Sequence, residues 1–198
     1  MSLYGFALLP KKEVQEKIIS FRKKYSDVFF GPMLSLSENL PHVSILQCPF
    51  FVNMPVKSII KMANENLHPP ITLKWENLIY QPVGWVFANI YKTPSLSALQ
   101  MFLLENCEKY IDYSMIDQHN PLKGYNEREK EYYLKYGYRY IGDEYKPHVT
   151  IGRIDESTQI PENAVLDFKT TFSESEIEFD RIAYYEAGKF GAAKKILF

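Results

Sequence analysis

The chain has 198 residues, 46% of them apolar and 24% charged, with a net charge of −1. This composition can bury a sizeable core and excludes a disordered chain. The near-neutral balance also excludes the strongly basic surface of a protein that coats nucleic acid, although a pocket for a nucleotide or an RNA end needs only a few cations.

Two cysteines, Cys48 and Cys107, form no motif, so a reduced compartment is expected rather than a disulfide framework. The four histidines and two cysteines show no metal-ligand spacing, and no metal or cofactor is expected. The opening "MSLYGFALLP" lacks a signal-peptide layout, and no apolar run reaches the length of a membrane span. The expectation is a cytoplasmic monomer without membrane contact, with residues 1–198 forming a single domain.

In chain order, Leu3–Leu9 reads as a buried strand ended by Pro10. Lys11–Tyr25 reads as a helix, with Val14, Ile18, Phe21 and Tyr25 on one face. "FFGPMLSLSENLP" is a loop or short strand, and His42–Leu46 is strand-like. A second helix covers Val56–Leu67 and is stopped by Pro69-Pro70. Thr72–Ile79 and Trp85–Tyr91 form a strand pair around "QPVG". A third helix runs from about Pro94 to Tyr110. A Tyr-rich insertion follows at about 111–145, with a helix at Asn126–Tyr136. His148–Ile154 is again a strand, and Leu166–Phe172, Glu176–Tyr185 and Ala192–Leu197 supply further strand candidates. Strands and helices without strict alternation indicate an α+β fold.

One pattern occurs twice. "PHVSILQ" spans Pro41–Gln47, and "PHVTIGR" spans Pro147–Arg153. Each follows a strand and a helix: "YGFALLP" leads to the first motif and "WVFANIY" to the second. Phe6 precedes His42 by 36 residues and Phe87 precedes His148 by 61, so the insertion lengthens the second half. Because side chains alternate along a strand, His42 shares a face with Ser44, and His148 with Thr150. Val43, Ile45, Val149 and Ile151 turn to the other side. Two such strands can place two imidazoles and two hydroxyls across one cleft.

That set suits phosphoester chemistry. A neutral imidazole takes a proton from water or a ribose hydroxyl, and an imidazolium gives one to the leaving oxygen. The hydroxyls donate to nonbridging oxygens where charge accumulates. The competing reading makes each motif an ordinary strand carrying a hydrogen-bonded histidine. A single His-apolar-Ser/Thr-apolar match arises by chance in roughly one chain in ten, two matches in well under about one in a hundred. The pairing, in equivalent places of a half-repeat, favours the functional reading.

With these paired motifs the chain resembles the two-histidine (2H) phosphoesterase superfamily, which includes bacterial RNA 2′,5′-ligase/cyclic phosphodiesterases. The resemblance implies an α+β fold of two similar lobes related by a pseudo-two-fold. Each lobe would have an antiparallel-rich sheet and flanking helices around a central cleft. It also implies metal-independent hydrolysis of 2′,3′-cyclic phosphates or 2′,5′ linkages of RNA or nucleotides. His42 and His148 then carry catalysis, and Ser44 and Thr150 bind substrate. Ser44 stands where threonine is commoner in the family, with the hydroxyl kept.

Arg153 is a further candidate for binding the phosphate, with a surface ion pair to Asp155 or Glu156 as its plainer role. The seven tyrosines from Tyr125 to Tyr145 can stack on a base or cover the core, and helix-face spacing of Tyr132, Tyr133 and Tyr136 favours the core. His68 is expected at an exposed helix end, His119 in solvent, and "KFGAAKK" as a turn or basic lip. Two other functions fit the same residues: a phosphodiesterase for a small cyclic sugar phosphate, and a noncatalytic RNA-end or nucleotide-binding module.

Overall fold

The computed structural model describes residues 3–31, 33–67, 71–172, 176–188 and 191–198. His68, Pro69-Pro70, and Lys189 and Phe190 of the expected lip lie outside the described residues. The elements are β1 (Leu3–Pro10), α1 (Lys12–Lys24), β2 (Val43–Cys48), α2 (Val56–Leu67), β3 (Ile71–Gln81), β4 (Trp85–Ile90), α3 (Pro94–Cys107), α4 (Glu127–Tyr136), β5 (His148–Arg153), α5 (Glu162–Phe172), β6 (Glu176–Ala187) and β7 (Ala193–Ile196). The fold is α+β, with five α-helices among the described residues and one antiparallel sheet of seven strands.

The strand order is β1-β2-β5-β4-β3-β6-β7, and β1 also pairs with β6. Six strands therefore form a closed circuit of pairings, with β7 attached outside it. The two lobes expected from sequence each had a sheet of their own; here every strand belongs to the same sheet. The join between β2 and β5 is narrow, a single antiparallel pairing of Val43 with Val149. That narrow join carries both motifs.

Local chemistry fixes the helices that flank this sheet. Helix α1 has Glu13 in its first turn and Arg22, Lys23 and Lys24 in its last, which complements the helix dipole. Thr93 caps α3 by accepting from the Leu96 N–H at 3.2 Å, with Pro94 in the first turn. Helix α4 opens on a capping box: Asn126 accepts from the Glu129 N–H at 2.8 Å, and Glu129 accepts from the Asn126 N–H at 3.1 Å. It closes on Gly137, whose φ of 74° suits glycine.

One element departs from expectation. Leu166–Phe172 is not a strand but the second half of α5. "LDFKTTF" alternates apolar and polar residues, which suggested a strand. The buried residues are Ala164, Phe168 and Phe172, four apart, and Phe168 and Phe172 pack against Trp75 of β3. Helical spacing over the longer window prevails.

A single large cluster fills the space between sheet and helices and includes Val43, Ile45, Val149 and Ile151. A second, small cluster of Ala7, Tyr185 and Ala193 lies apart from it, and its Tyr185 reaches Ser44. The sheet thus separates the β-branched residues of both motifs from their imidazoles and hydroxyls.

Candidate active site

Val43 opposite Val149 sets the register of the whole site. In an antiparallel pair the next residues out also face each other. His42 therefore stands opposite Thr150, and Ser44 opposite His148, in a crossed square. Directly opposed side chains have Cβ atoms about 4.5–5.5 Å apart. All four line one cleft of about 920 Å³, so the structure brings together the two histidines and two hydroxyls expected from sequence.

The two imidazoles are held alike. His42 Nδ1 lies 2.7 Å from the Leu40 carbonyl oxygen, and His148 Nδ1 lies 2.6 Å from the Lys146 carbonyl oxygen. In each case the acceptor is two residues upstream, across the proline. A carbonyl can only accept, so Nδ1 carries the proton and each Nε2 is bare when the ring is neutral.

Beyond this the two sites differ. His42 Nε2 lies 3.1 Å from Ser44 Oγ, so Ser44 donates its proton there. Ser44 Oγ must then accept from Tyr185 Oη at 3.0 Å. Tyr185 Oη in turn accepts from Gln47 Nε2 at 3.0 Å, and the same amide donates to the Gly191 carbonyl at 3.1 Å. Every proton in this chain points toward His42. Gly5 makes room for it: a Cβ there would stand 2.6 Å from the Tyr185 ring.

At the second motif, His148 Nε2 and the Thr150 hydroxyl have no hydrogen-bond partner among the described residues. The His148 ring stacks on Phe87, with centroids 3.7 Å apart and planes 12° apart, and meets the edge of Tyr140 at 5.5 Å. Its orientation is therefore set by packing and by Nδ1, leaving Nε2 for a ligand.

Both imidazoles are half-buried, and burial pushes both below the usual imidazole range. The shift takes His148 down to about 3, with desolvation the main cause and the nearby charges of His42, Arg139 and Lys146 adding to it. With the cleft empty, both rings are neutral at pH 7. An anion between them would offset the desolvation and favour protonation.

The insertion supplies one wall. Tyr125, Tyr133, Tyr138, Arg139 and Tyr140 all line the cleft. The Arg139 guanidinium lies 4.3 Å from the Tyr125 ring centroid and 4.4 Å from that of Tyr140, and it donates to Tyr140 Oη. Glu129, 3% exposed, anchors this wall. Its carboxylate lies 2.7 Å from Lys146 Nζ and 3.7 Å from Arg139 Nη1. Because the Lys146 carbonyl holds His148, α4 and the second motif form one connected unit. Sequence reasoning missed Arg139. The signal was present in "YGYRY", a cation set between tyrosines immediately after a helix-ending glycine. The tyrosines divide: Tyr136 is buried in the core, while Tyr133 borders the cleft.

Arg153 is placed elsewhere and is not among the cleft-lining residues. Its Nη2 donates to the Val83 carbonyl at 2.5 Å, and its guanidinium lies 5.7 Å from the Phe30 ring and 5.2 Å from the Trp85 ring. Val83 has a φ of 63°, rare for a β-branched residue, so Arg153 braces a strained turn between β3 and β4. A bulge in β5 accounts for this placement: Thr150 pairs with Phe87 but Gly152 with Val86, so the register shifts at Ile151 and Arg153 stands opposite Trp85 at the strand end. His119 is exposed, as expected.

No group of three or more His, Cys, Asp or Glu side chains that could hold a metal occurs among the described residues. No described helix is long and apolar enough to cross a membrane. Neither a protein-family model nor a curated protein matches the chain.

Proposed function

We propose that this protein is an acid–base phosphodiesterase of the two-histidine kind. More particularly, it is a metal-independent hydrolase of 2′,3′-cyclic phosphates or 2′,5′ linkages in RNA or nucleotides. The observation that carries the reading is the matched anchoring of His42 and His148. Each gives Nδ1–H to a carbonyl two residues upstream, and each keeps a bare Nε2 beside a hydroxyl in the same cleft. A core histidine needs no such duplicate. The order strand-helix-strand-helix-strand from β1 to β3 recurs from β4 to β6 once the inserted α4 is set aside, which supports reading the halves as related by a pseudo-two-fold.

From the asymmetry between the motifs we assign the roles. His148, the more strongly held in its neutral form, is the general base that takes a proton from the attacking water at Nε2. The new bond joins the water oxygen to phosphorus, and the bond from phosphorus to the ribose oxygen breaks. His42, protonated once the phosphate anion is bound, gives its Nε2 proton to that leaving oxygen. When His42 is protonated it no longer accepts from Ser44, so the Ser44 hydroxyl is released to donate to a nonbridging oxygen. Thr150 donates from the facing strand. Water, proton and leaving group balance without a cofactor.

The Tyr and Arg139 wall favours a nucleotide over a bare sugar phosphate, because aromatic faces offer a base a stacking surface. The test is a panel of 2′,3′-cyclic nucleotides, 2′,5′-linked dinucleotides and a cyclic ribose phosphate. Turnover of a member of the first two groups is expected. Turnover of the sugar phosphate alone would move the substrate to the small-molecule class. Binding of nucleotides with no turnover would make the protein a binding module.

A further inference from the structure

We propose that the Tyr138 hydroxyl is a further catalytic group, a hydrogen-bond donor to a nonbridging oxygen of a phosphate held between His42 and His148. The proposal rests on the phosphodiesterase reading above and adds a donor from the insertion, outside both repeated motifs.

Tyr138 follows Gly137, the residue that ends α4 in a left-handed conformation. A Cβ at Gly137 would come within 3.0 Å of the Pro49 ring, so the chain passes tightly over the end of β2 at this point. This turn carries Tyr138 into the wall of the same cleft as the two histidines. Its ring is fixed edge-to-face against Tyr140, with centroids 5.9 Å apart, and Tyr140 itself packs against His148.

Burial of the phenol pushes its pKa up, and the charges of Tyr145, Tyr185 and Tyr140 add to the shift. Those three tyrosines surround the motifs. Tyr185 donates to the Ser44 hydroxyl, Tyr145 donates to the Ser44 carbonyl at 3.3 Å, and Tyr140 abuts His148. Tyr138 lines the cleft that both motifs share and packs against Tyr140.

The three neighbours use their hydroxyls. Tyr185 and Tyr145 are bonded as described, and Tyr140 Oη accepts from Arg139. Tyr133 Oη accepts from Asn120 at 2.9 Å. Tyr138 Oη has no hydrogen-bond partner among the described residues. Tyr125 Oη is also unbonded, but its ring packs against the Arg139 guanidinium and edge-to-face against Tyr133. A half-buried hydroxyl without a partner calls for an acceptor that arrives with a ligand. His148 Nε2 and the Thr150 hydroxyl, also unbonded, line the same cleft. A phosphate oxygen satisfies both hydroxyls, and the raised pKa keeps the phenol protonated and able to donate.

The test compares the full chain with its Tyr138→Phe form, which keeps the ring and removes only the donor. Inorganic phosphate binding is measured by calorimetry, and turnover of a 2′,3′-cyclic nucleotide is measured alongside. A lost hydrogen bond to a charged group should weaken phosphate binding and lower kcat by about 10-fold or more, with the melting temperature unchanged. Wild-type phosphate affinity and kcat in Tyr138→Phe overturn the proposal. Failure of wild-type protein to bind phosphate overturns the anion position itself. The parent reading fails separately: full turnover in His148→Ala would sink the two-histidine mechanism while a phosphate defect in Tyr138→Phe still placed the donor.

Discussion

Val43 and Val149 face each other in the only residue pairing that joins β2 to β5 among the described residues. This one apolar contact crosses the two motifs, setting His42 opposite Thr150 and Ser44 opposite His148. Both valines are buried in the large core, at 0% and 1% exposure, so core packing fixes the geometry of the polar face behind them. Val149→Ala should therefore do more than leave a cavity. A cost of about 1–3 kcal/mol in stability is expected from the lost methyl groups. Activity should fall as well, because the register of four site residues depends on this contact. Unaltered kcat in a destabilised Val149→Ala protein would show that the register is fixed elsewhere.

Gly5 tests the other side of the site. A methyl group there would collide with the Tyr185 ring at 2.6 Å, in the middle of a strand paired on both edges. Gly5→Ala should lose about 1–3 kcal/mol of stability. It should also loosen the relay from Gln47 through Tyr185 and Ser44 to His42. Tyr185→Phe should lower activity without the steric penalty, which separates the two effects in a paired melting and rate experiment.

Stability should depend on pH through His148. Its folded-state pKa lies below the unfolded value of about 6.5, so the unfolded chain binds the extra proton first. The stabilisation is fully present above that value and is lost as pH falls from about 6.5 toward 3. Wild-type protein should lose more stability than His148→Ala between pH 7 and pH 5, by at most about 2 kcal/mol. Equal losses would show that His148 is not held neutral in the fold.

The same shift shapes the rate profile. Two unshifted imidazoles would put both limbs at about 6.5. With both rings pushed down in the free cleft, the limbs of kcat/KM should lie below about 6.5. The kcat profile should sit at higher pH, because bound phosphate favours the imidazolium. Phosphate binding at pH 7 should accordingly take up protons, detectable by calorimetry in buffers of different ionisation enthalpy. A kcat profile displaced to lower pH than that of kcat/KM would contradict this.

The sequence revealed the motifs because they obey a local rule, alternation along a strand. The same rule fails for Arg153, because a bulge at Ile151 shifts the register between it and Thr150, and nothing in the local sequence marks that bulge. The misread half of α5 reflects a short window in which period two and period four both fit. Helix α4 was legible to within a residue because its capping box and closing glycine are contiguous. The relay from Gln47 to Tyr185 was not legible, since its partners are 138 residues apart and meet only through the sheet. The closed circuit of strands escaped notice for the same reason: pairings such as β1 with β6 leave no local mark.

Chelation is a simple check on the chemistry. The site offers acid, base and hydroxyl donors from His42, His148, Ser44 and Thr150, and turnover should be unchanged in EDTA. Loss of activity that a divalent ion restores would require a different mechanism.

The most direct measurement is hydrolysis of an accepted 2′,3′-cyclic nucleotide by wild type, His42→Ala and His148→Ala, each with its melting temperature determined. Both imidazoles line a cleft rather than fill the core, so folding should be retained at pH 7. Turnover should fall by about 10²-fold or more in each variant. Wild-type turnover in either folded variant would contradict the two-histidine account.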